Sequence, residues 1–252
     1  MTDLLYLPSI EACYERTFRA RVLSLPPGGV VLDRTLFYPT GGGQPADQGT
    51  LLGPETPLLH VRDVTKTGST VVHRVAKGVP GGRPLQTGDT VDGAIDWERR
   101  YRHMRLHTAQ HLLSALVFAE TGLKTARASF AGSAGTIDLE GPWPANPGAP
   151  DLERRLAPIV ESSASVGVRT VSHADWDAHP SARSGLVRIP PHVDPVRLIE
   201  IDGWDRCPCG GTHVRSTREI GAVRLGPSIP LGAAASRLPF TIAFEATSTP
   251  NE

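Results

Sequence analysis

The sequence predicts an α+β protein, with a small β-rich domain in residues 1–96 and an α+β domain in residues 97–252. Short runs of alternating polar and apolar residues fill the first region, as in strands with one buried face. From about Asp96 the apolar spacing changes to that of an amphipathic helix. The 26 glycines and 23 prolines predict many turns and short elements, which disfavours a helical bundle.

Alternating apolar positions mark the strands of the N-terminal domain, and turn residues such as those at 26–28 and 67–69 separate them. The predicted strands cover residues 19–25, 29–33, 60–64, 70–76 and 90–97. Short strands at intervals of about 8–12 residues are typical of a small barrel or sandwich. Of the two, we expect a small β-barrel.

A glycine-rich segment, DRTLFYPTGGGQPADQG at residues 33–49, interrupts this domain. Its three consecutive glycines carry no side chain, so a backbone or a ligand can approach closely. The segment is therefore either a loop that docks against the second domain or a substrate, or a tight connection between strands. It lacks the Gly-Lys-Ser/Thr of a phosphate-binding P-loop. Candidate substrate-binding residues here are Gly41, Gly42, Gly43 and Gln44.

The second domain starts with a predicted helix that has Asp96 as its N-cap and stops at Gly122. Its apolar stripe is formed by Leu106, Ala109, Leu113, Leu116 and Val117. His107 and His111 lie on a neighbouring face, one turn apart, with about 6 Å between their Cβ atoms. Both imidazoles can therefore reach one point.

The remainder of the second domain alternates between strands and helices. Apolar positions at Leu152, Leu156, Ile159 and Val160 predict a second amphipathic helix that is kinked or ends near Pro158. A loop or short helix is expected at residues 173–180. Strands are expected at residues 136–140, 168–172, 197–202, 220–225 and 240–245.

A second cluster of metal-binding residue types lies downstream, in CPCGGTH at residues 207–213. Cys209 and His213 flank a pair of glycines that lets the chain curl, so both can share a centre with His107 and His111. Together the two clusters offer three histidines and a cysteine, a ligand set that suits Zn²⁺. Cys207 could replace Cys209 as the ligand, lie behind it, or be an ordinary buried residue.

The neighbouring residues exclude two zinc chemistries. Metalloproteases of the H-E-x-x-H type need a glutamate where this chain has Thr108. Zinc nucleobase deaminases need a glutamate beside the first ligand and a P-C-x-x-C element, and both are missing. A set of four protein ligands is the arrangement of closed, structural zinc sites.

The net charge and the local charge pattern bear on whether the chain binds nucleic acid. The formal net charge is zero, so nucleic-acid binding would depend on a local basic patch. Arg99 and Arg102, ahead of the histidines, are either a solvated helix face or contacts to phosphate, and we take them as candidate substrate-binding residues.

The number of cysteines and the length of the apolar runs indicate the cellular compartment in which the protein is expected. Three cysteines, two of them clustered, indicate metal or thiol chemistry in a reducing environment rather than a disulfide framework. No signal peptide and no apolar run of membrane-spanning length is found, so we expect a cytoplasmic protein without a membrane partner. The oligomeric state is not determined by the sequence.

Three motifs in order resemble those of one family. HTAQHLL at residues 107–113 and CGGTHV at residues 209–214, followed by TREIG at residues 217–221, resemble the editing domain of alanyl-tRNA synthetase. Residues 33–49 look like the glycine-rich element that accompanies that domain. The resemblance covers roughly residues 15–245, and no aminoacylation domain is attached. The chain thus resembles the free-standing AlaX-type editing proteins.

The resemblance implies an aminoacyl-tRNA deacylase whose partner is tRNA(Ala) mischarged with serine or glycine. It also implies Zn²⁺ held by His107, His111, Cys209 and His213. Polar residues line the pocket in this family, so Gln110 and Thr108 become candidate catalytic residues of the pocket. Residues 125–129, TARAS, depart from the family's glutamine-containing stretch, which leaves the choice among serine, glycine and alanine open.

Two other functions remain compatible with the residues. The closed ligand set and the arginines ahead of His107 also fit a tRNA-binding module with purely structural zinc. A zinc hydrolase of small esters is the third hypothesis.

Overall fold

Within the residues that the computed structural model describes (1–76, 82–179 and 189–243), six N-terminal strands close into a barrel. The order around the barrel is β2-β3-β7-β6-β5-β8. These strands are β2 (Thr17–Ser24), β3 (Gly29–Leu32), β5 (Gly49–Leu52), β6 (Leu59–Thr67), β7 (Thr70–Ala76) and β8 (Thr90–Ile95). Two short strands, β1 (Asp3–Leu4) and β4 (Arg34–Thr35), pair in parallel beside it. The predicted β-barrel is confirmed.

The sequence pattern missed one barrel strand, β5, which directly follows the glycine-rich segment. It has four residues, too few for an alternation to stand out. Gly49 begins it, and a Cβ at this position would lie 2.1 Å from the carbonyl oxygen of Ala94 on β8. Glycine therefore permits the close approach that seats β5 against β8.

Helix α1 (Trp97–Thr121) leads out of the barrel. The Asp96 carboxylate accepts a hydrogen bond from the Arg99 backbone amide, and Gly122, with φ +72°, ends the helix, so both predicted ends are confirmed. The apolar stripe is buried as expected. The structure also buries the opposite face from His103 to His111, because the glycine-rich segment and the sheets of the second half pack against α1.

Two antiparallel sheets and two further helices complete the α+β part. One sheet has the order β14-β16-β10-β9, with β15 (Ile229–Pro230) also paired to β16. Its strands are β9 (Thr125–Ala131), β10 (Ala134–Glu140), β14 (Val223–Leu225) and β16 (Ala235–Ile242). The other contains β11 (Val166–Val171), β12 (Val196–Ile201) and β13 (Asp205–Pro208) in that order. The helices are α2 (Ala149–Glu161) and α3 (His173–Asp177).

Two details of the second half differ from the sequence expectation, and two predicted segments lie partly outside the described residues. Helix α2 does not end at Pro158 but continues to Glu161, because a proline in the last turn removes only one hydrogen bond near the end. Residues 217–220 form a 3-10 turn, so the strand expected from residue 220 starts at Val223. Residues 244–245 of the last predicted strand and residue 180 of the predicted loop lie outside the described residues.

No helix among the described residues is both long and apolar enough to cross a membrane.

A buried ion pair joins the barrel to α1. Arg100 donates to both carboxylate oxygens of Asp47, and both side chains are 0% exposed. The same guanidinium donates to the carbonyl oxygens of Cys13 and Leu36. Asp47 also accepts a hydrogen bond of 2.7 Å from the backbone amide of Tyr38. These contacts fix the glycine-rich segment, near its end, to the first turn of α1. They use most of the N–H donors of the Arg100 guanidinium.

Replacing Arg100 by methionine is expected to lower the free energy of unfolding by about 3–5 kcal/mol, since it leaves the Asp47 charge buried without a partner. The matched control is Arg99→Met at the half-buried neighbouring position, where a loss of about 1 kcal/mol or less is expected. Urea unfolding measures both. Equal losses in the two variants would contradict this role for the ion pair.

The barrel core also contains a neutral histidine. His73 donates from Nδ1 to the Val30 carbonyl oxygen at 2.9 Å and accepts at Nε2 from the Thr35 hydroxyl at 2.8 Å. Burial lowers the pKa of His73 to about 4. A proton on Nε2 would occupy the lone pair that accepts the hydrogen bond from the Thr35 hydroxyl. The folded barrel therefore excludes the charged ring.

Because the pKa of His73 is lower in the folded than in the unfolded chain, its contribution to stability is complete above pH 6.5 and is lost as the pH falls toward 4. His73→Gln should reduce the dependence of the unfolding free energy on pH in this window by up to about 1.4 kcal/mol per pH unit. The exposed His60, changed to Gln, is the control and should keep the wild-type slope. An unchanged slope in His73→Gln would disprove the assignment.

Candidate metal centre and cleft

Four side chains from two distant parts of the chain meet at one point. His107 and His111 project from the middle of α1, and Cys209 and His213 come from the loop after β13. One ligand atom of each lies within 4.8 Å of the ligand atoms of the others. The three histidines are buried, and Cys209 is partly buried.

The distances in this group fit a tetrahedral zinc site. The sulfur of Cys209 lies 3.5 Å from Nε2 of His107 and 3.4 Å from Nε2 of His213. Zinc bonds of about 2.0–2.1 Å to nitrogen and about 2.3 Å to sulfur give tetrahedral edges of about 3.5 Å between the two. Three nitrogens and one sulfur also form a donor set that zinc prefers. The residues present therefore fit the ion.

Each of the three histidines is oriented by a hydrogen bond at Nδ1. His107 donates to the Gln44 side-chain oxygen at 2.9 Å, and His111 donates to a carboxylate oxygen of Asp205 at 2.8 Å. His213 Nδ1 lies 3.1 Å from the hydroxyl of Thr108. A partner at Nδ1 fixes the tautomer in which Nε2 carries the lone pair. All three rings thus present the nitrogen that a metal would take.

The hydroxyl of Thr108 accepts at this point because its own proton is used. It donates to the Met104 carbonyl oxygen at 2.9 Å, and it also accepts from the backbone amide of Val214 at 3.3 Å. Thr108 is fully buried and lies behind His213, outside the residues that line the cleft. The structure therefore gives Thr108 a positioning contact.

Cys209 lies in surroundings that favour the thiolate. Burial alone raises the pKa of its thiol, but the nearby rings of His107 and His213 lower that pKa well below its usual value. The backbone amide of Gly211 donates to the sulfur at 3.2 Å. A Cβ at Gly211 would lie 2.2 Å from Cε1 of His107, so only glycine lets this loop pass beneath the ring.

Cys207 is placed differently. Burial raises the pKa of its thiol well above the usual value, and Asp205 and Cys209 add to this. It lies near His111 and Asp205 in the wall of the cleft rather than in the four-residue group. Of the two clustered cysteines, Cys209 supplies the sulfur of the group.

A cleft of about 1310 Å³ opens beside the four-residue group. Its walls come from the glycine-rich segment, the second half of α1, β9 and the region around β13. Gly41, Gly42, Gly43 and Gln110 all line it. The candidate metal centre therefore borders a space large enough for a substrate.

The glycine-rich segment docks against the second half of the chain. The Phe130 backbone amide on β9 donates to the Gly43 carbonyl oxygen at 3.1 Å. A Cβ at Gly43, whose φ is +84°, would lie 2.4 Å from the Ala128 carbonyl oxygen. Of the two interpretations of these glycines, the structure favours docking, in which the segment also forms a wall of the cleft.

The other candidate residues lie at different depths. Gln44 is fully buried and links Nδ1 of His107 to the Thr212 hydroxyl, to which it donates at 2.9 Å. Arg99 donates to the Ala46 carbonyl oxygen at 2.9 Å. Arg99 and Arg102 are half-buried and are not among the residues that line the cleft.

Sequence reasoning missed three polar residues of the site. Asp205, which orients His111, carries no local signal because it lies 94 positions away in the sequence. Ser114 and Thr125 line the cleft and bond to each other at 2.8 Å. Ser114 could have been found, since it lies three residues after His111 and so on the same helix face.

Known sequence families match both halves of the chain. Residues 8–99 match the family described as tRNA synthetases class II (A). Residues 196–229, which include Cys209 and His213, match the threonyl and alanyl tRNA synthetase second additional domain.

Individual relatives match over nearly the whole chain. The alanyl-tRNA editing protein AlaX-M of Methanosarcina mazei is 31% identical, over 98% of this chain and 99% of its own length. AlaX-M of Methanosarcina barkeri is 32% identical over 96% and 99%. The alanine–tRNA ligase of Methanoculleus marisnigri is 36% identical over 84% of this chain, which corresponds to 22% of the ligase. With full-length relatives of this kind, the chain belongs to the family of AlaX-type alanyl-tRNA editing proteins.

Proposed function

We propose that this chain is a trans-editing deacylase, which hydrolyses the ester between tRNA(Ala) and a wrongly attached serine, and in second place glycine. The observation that carries the proposal is the group of three histidines and one cysteine at the wall of a large cleft. Family membership supports it, because relatives of the same length are named alanyl-tRNA editing proteins. A small apolar pocket cannot strongly reject serine when it selects alanine, which is why a second, hydrolytic step is useful.

Hydrolysis of an aminoacyl ester needs few catalytic groups. An aminoacyl ester is already activated, so polarisation of the carbonyl and a positioned water suffice. A zinc ion held by the four-residue group would supply the Lewis acid. The chain's own residues hold the ligand atoms in place through Gln44, Asp205 and Thr108. Gln110 adds a polar group to the cleft wall next to His111.

Two main apolar cores among the described residues support a division of the chain into two domains. One core draws all its buried residues from positions 20–95, and the other draws most of them from positions 104–242. We therefore propose a barrel domain at residues 1–96 and an editing domain at residues 97–252. Ile10 and Cys13 belong to the second core, so the N-terminal turn would be shared. Arg99 and Arg102, outside the cleft, remain candidates for contacts to tRNA phosphates.

The four-ligand set also favours a second candidate function, a tRNA-binding module in which zinc is purely structural. Four protein ligands leave no open position on a tetrahedral ion, as in structural zinc sites. The wide cleft beside the group favours the enzyme. Turnover decides between them.

Zinc-loaded protein is expected to release serine from Ser-tRNA(Ala) and to leave Ala-tRNA(Ala) intact, as measured by the loss of labelled amino acid from precipitated tRNA. His107→Ala and Cys209→Ala should lose zinc and lower kcat on the order of 10²–10³-fold, because Lewis-acid polarisation contributes several kcal/mol. Metal content is measured on the same samples.

Other outcomes select the alternatives. Salt-dependent tRNA binding without turnover would support the structural-zinc module. Turnover of small amino-acid esters at a rate that tRNA does not improve would support a hydrolase of small esters. Variants that lose zinc and keep full activity would exclude a catalytic role for the metal.

Gln44→Leu is expected to weaken zinc affinity about 10–100-fold, because His107 loses the acceptor that holds its ring. Competition with a chromogenic chelator measures this without reference to activity. Gln48→Leu is the matched control: Gln48 lies in the same segment and donates to the Arg62 carbonyl oxygen, away from the group. Gln44→Glu keeps an acceptor at this position and should retain more affinity than Gln44→Leu; equal affinity in all four proteins would refute the orienting role.

A further inference from the structure

The cleft carries more positive charge than the chain as a whole. The formal net charge of the chain is zero. Among the described residues, the only carboxylate in the cleft lining is that of Asp205, which bonds to His111. A cleft lined mainly by one sign of charge attracts a ligand of the opposite sign, which here is a polyanion. The cationic side chains of the lining are those of Lys66, Lys124, Arg127 and Arg206.

An exposed aromatic ring lies at the same cleft. Trp204, whose side chain is 47% exposed, directly precedes β13 in the turn that follows β12. Its backbone amide donates to the Ile201 carbonyl oxygen at 2.8 Å, which fixes this turn. Trp204 lines both the cleft and a second cavity of about 400 Å³ beside it. The ring therefore provides a face on which a planar ligand group can stack.

Arg206, on β13, is held in place by two neighbours. Its Nε lies 2.6 Å from a carboxylate oxygen of Glu200, and its Nη1 donates to Nε2 of His179 at 2.8 Å. The His179 ring is in turn stacked on Trp176, with 5.8 Å between the ring centroids. Within the described part of the chain, Nη2 of Arg206 contacts no acceptor. A planar guanidinium that is already ordered and keeps N–H donors available is well suited to bind a phosphate.

The size of the cleft leaves room for nucleotides beside an amino acid. Its volume of about 1310 Å³ exceeds the range of about 300–1,000 Å³ that is typical of pockets for small molecules. Proteins that bind single-stranded nucleic acid combine a basic groove with aromatic rings, on which any base can stack. The cleft has both features, and its basic residues are exposed at Lys66 and Arg127.

We infer that Trp204 and Arg206 form a nucleotide subsite on the β13 side of the cleft. A base of the single-stranded 3′ end of the tRNA stacks on the Trp204 ring, and an adjoining phosphate pairs with Arg206. This inference rests on the proposed function, because the same cleft receives the aminoacyl ester. Arg99 and Arg102 lie outside the cleft lining, so the phosphate contact within the cleft is assigned to Arg206.

The first test measures binding of the RNA tetranucleotide ACCA, which carries a fluorescent label at its 5′ end and no amino acid, by anisotropy. Trp204→Ala should weaken this binding about 5- to 150-fold, the range for the loss of one stacked base, and Trp204→Phe should keep most of the affinity. Leu58→Ala is the matched control, since Leu58 is 42% exposed and lies outside the cleft lining. Equal affinity in Trp204→Ala and the wild type would overturn the inference.

The second test measures the same binding at several salt concentrations. Arg206→Gln should reduce the slope of log affinity against log salt concentration by about 0.7, the value for one phosphate contact of a single strand. Arg169→Gln is the matched control, because Arg169 lies 3.7 Å from the same Glu200 oxygen but outside the cleft lining, and it should keep the wild-type slope. Equal slopes in the two variants would remove the phosphate contact from Arg206.

Two further measurements separate this inference from its alternatives. AMP that binds as tightly as the tetranucleotide would assign the subsite to a free nucleotide and overturn its assignment to RNA. On Ser-tRNA(Ala), Trp204→Ala should raise KM and leave kcat within about twofold, because stacking contributes equally to substrate and transition state. Tetranucleotide binding that depends on Trp204, without turnover of any aminoacyl-tRNA, would refute the deacylase and retain the subsite. Turnover with an unchanged KM in Trp204→Ala would do the reverse.

Discussion

The buried ion pair between Asp47 and Arg100 is the contact on which the arrangement of the site depends. Neither charge reaches solvent, so the pair is stable only while the barrel and α1 hold their relative positions. Because Asp47 lies near the end of the glycine-rich segment, the pair also fixes Gln44 three residues earlier. Gln44 in turn orients His107. The ion pair between the barrel and α1 therefore also helps to position a ligand of the candidate metal centre.

Hydrogen bonds organise the candidate metal centre around its potential ligand atoms. Three histidines in contact would repel one another if all were charged, and burial adds to that cost. Hydrogen bonds at Nδ1 from three separate elements hold each ring with Nε2 toward the shared centre. The lowered pKa of the Cys209 thiol favours the thiolate, whose negative charge would suit the buried histidines. Asp205 adds a second negative charge behind His111.

The cleft combines this centre with surfaces of different character. The glycine-rich segment supplies backbone, because Gly43 lies too close to β9 for any side chain. Helix α1 and β9 supply the hydroxyls of Ser114 and Thr125, which also line the cleft. Under the proposed function, a wall of backbone and small polar groups would suit a small amino acid better than a large apolar one.

Most of the fold could be predicted from local pattern. Alternation predicted five of the six barrel strands, and capping residues predicted both ends of α1. Strands β5, β9 and β13 were missed. Strands β5 and β13 have four residues each, too few for an alternation to stand out, and β9 contains three alanines, a residue depleted in strands. Helix α2 continued past Pro158 because packing of its apolar face outweighs one lost hydrogen bond.

The sequence by itself determined which chemistry is available: paired histidines one turn apart, a cysteine and histidine around two glycines, and a glycine-rich segment that a family resemblance connects with them. The tertiary structure places Cys209, which the resemblance also implied, rather than Cys207 in the group, and only the tertiary structure shows that Asp205 orients His111. The reason is that ligand types and helical spacing are local properties. Which oxygen faces which ring depends on contacts between residues about 60 to 170 positions apart, set by the packing of the barrel against α1.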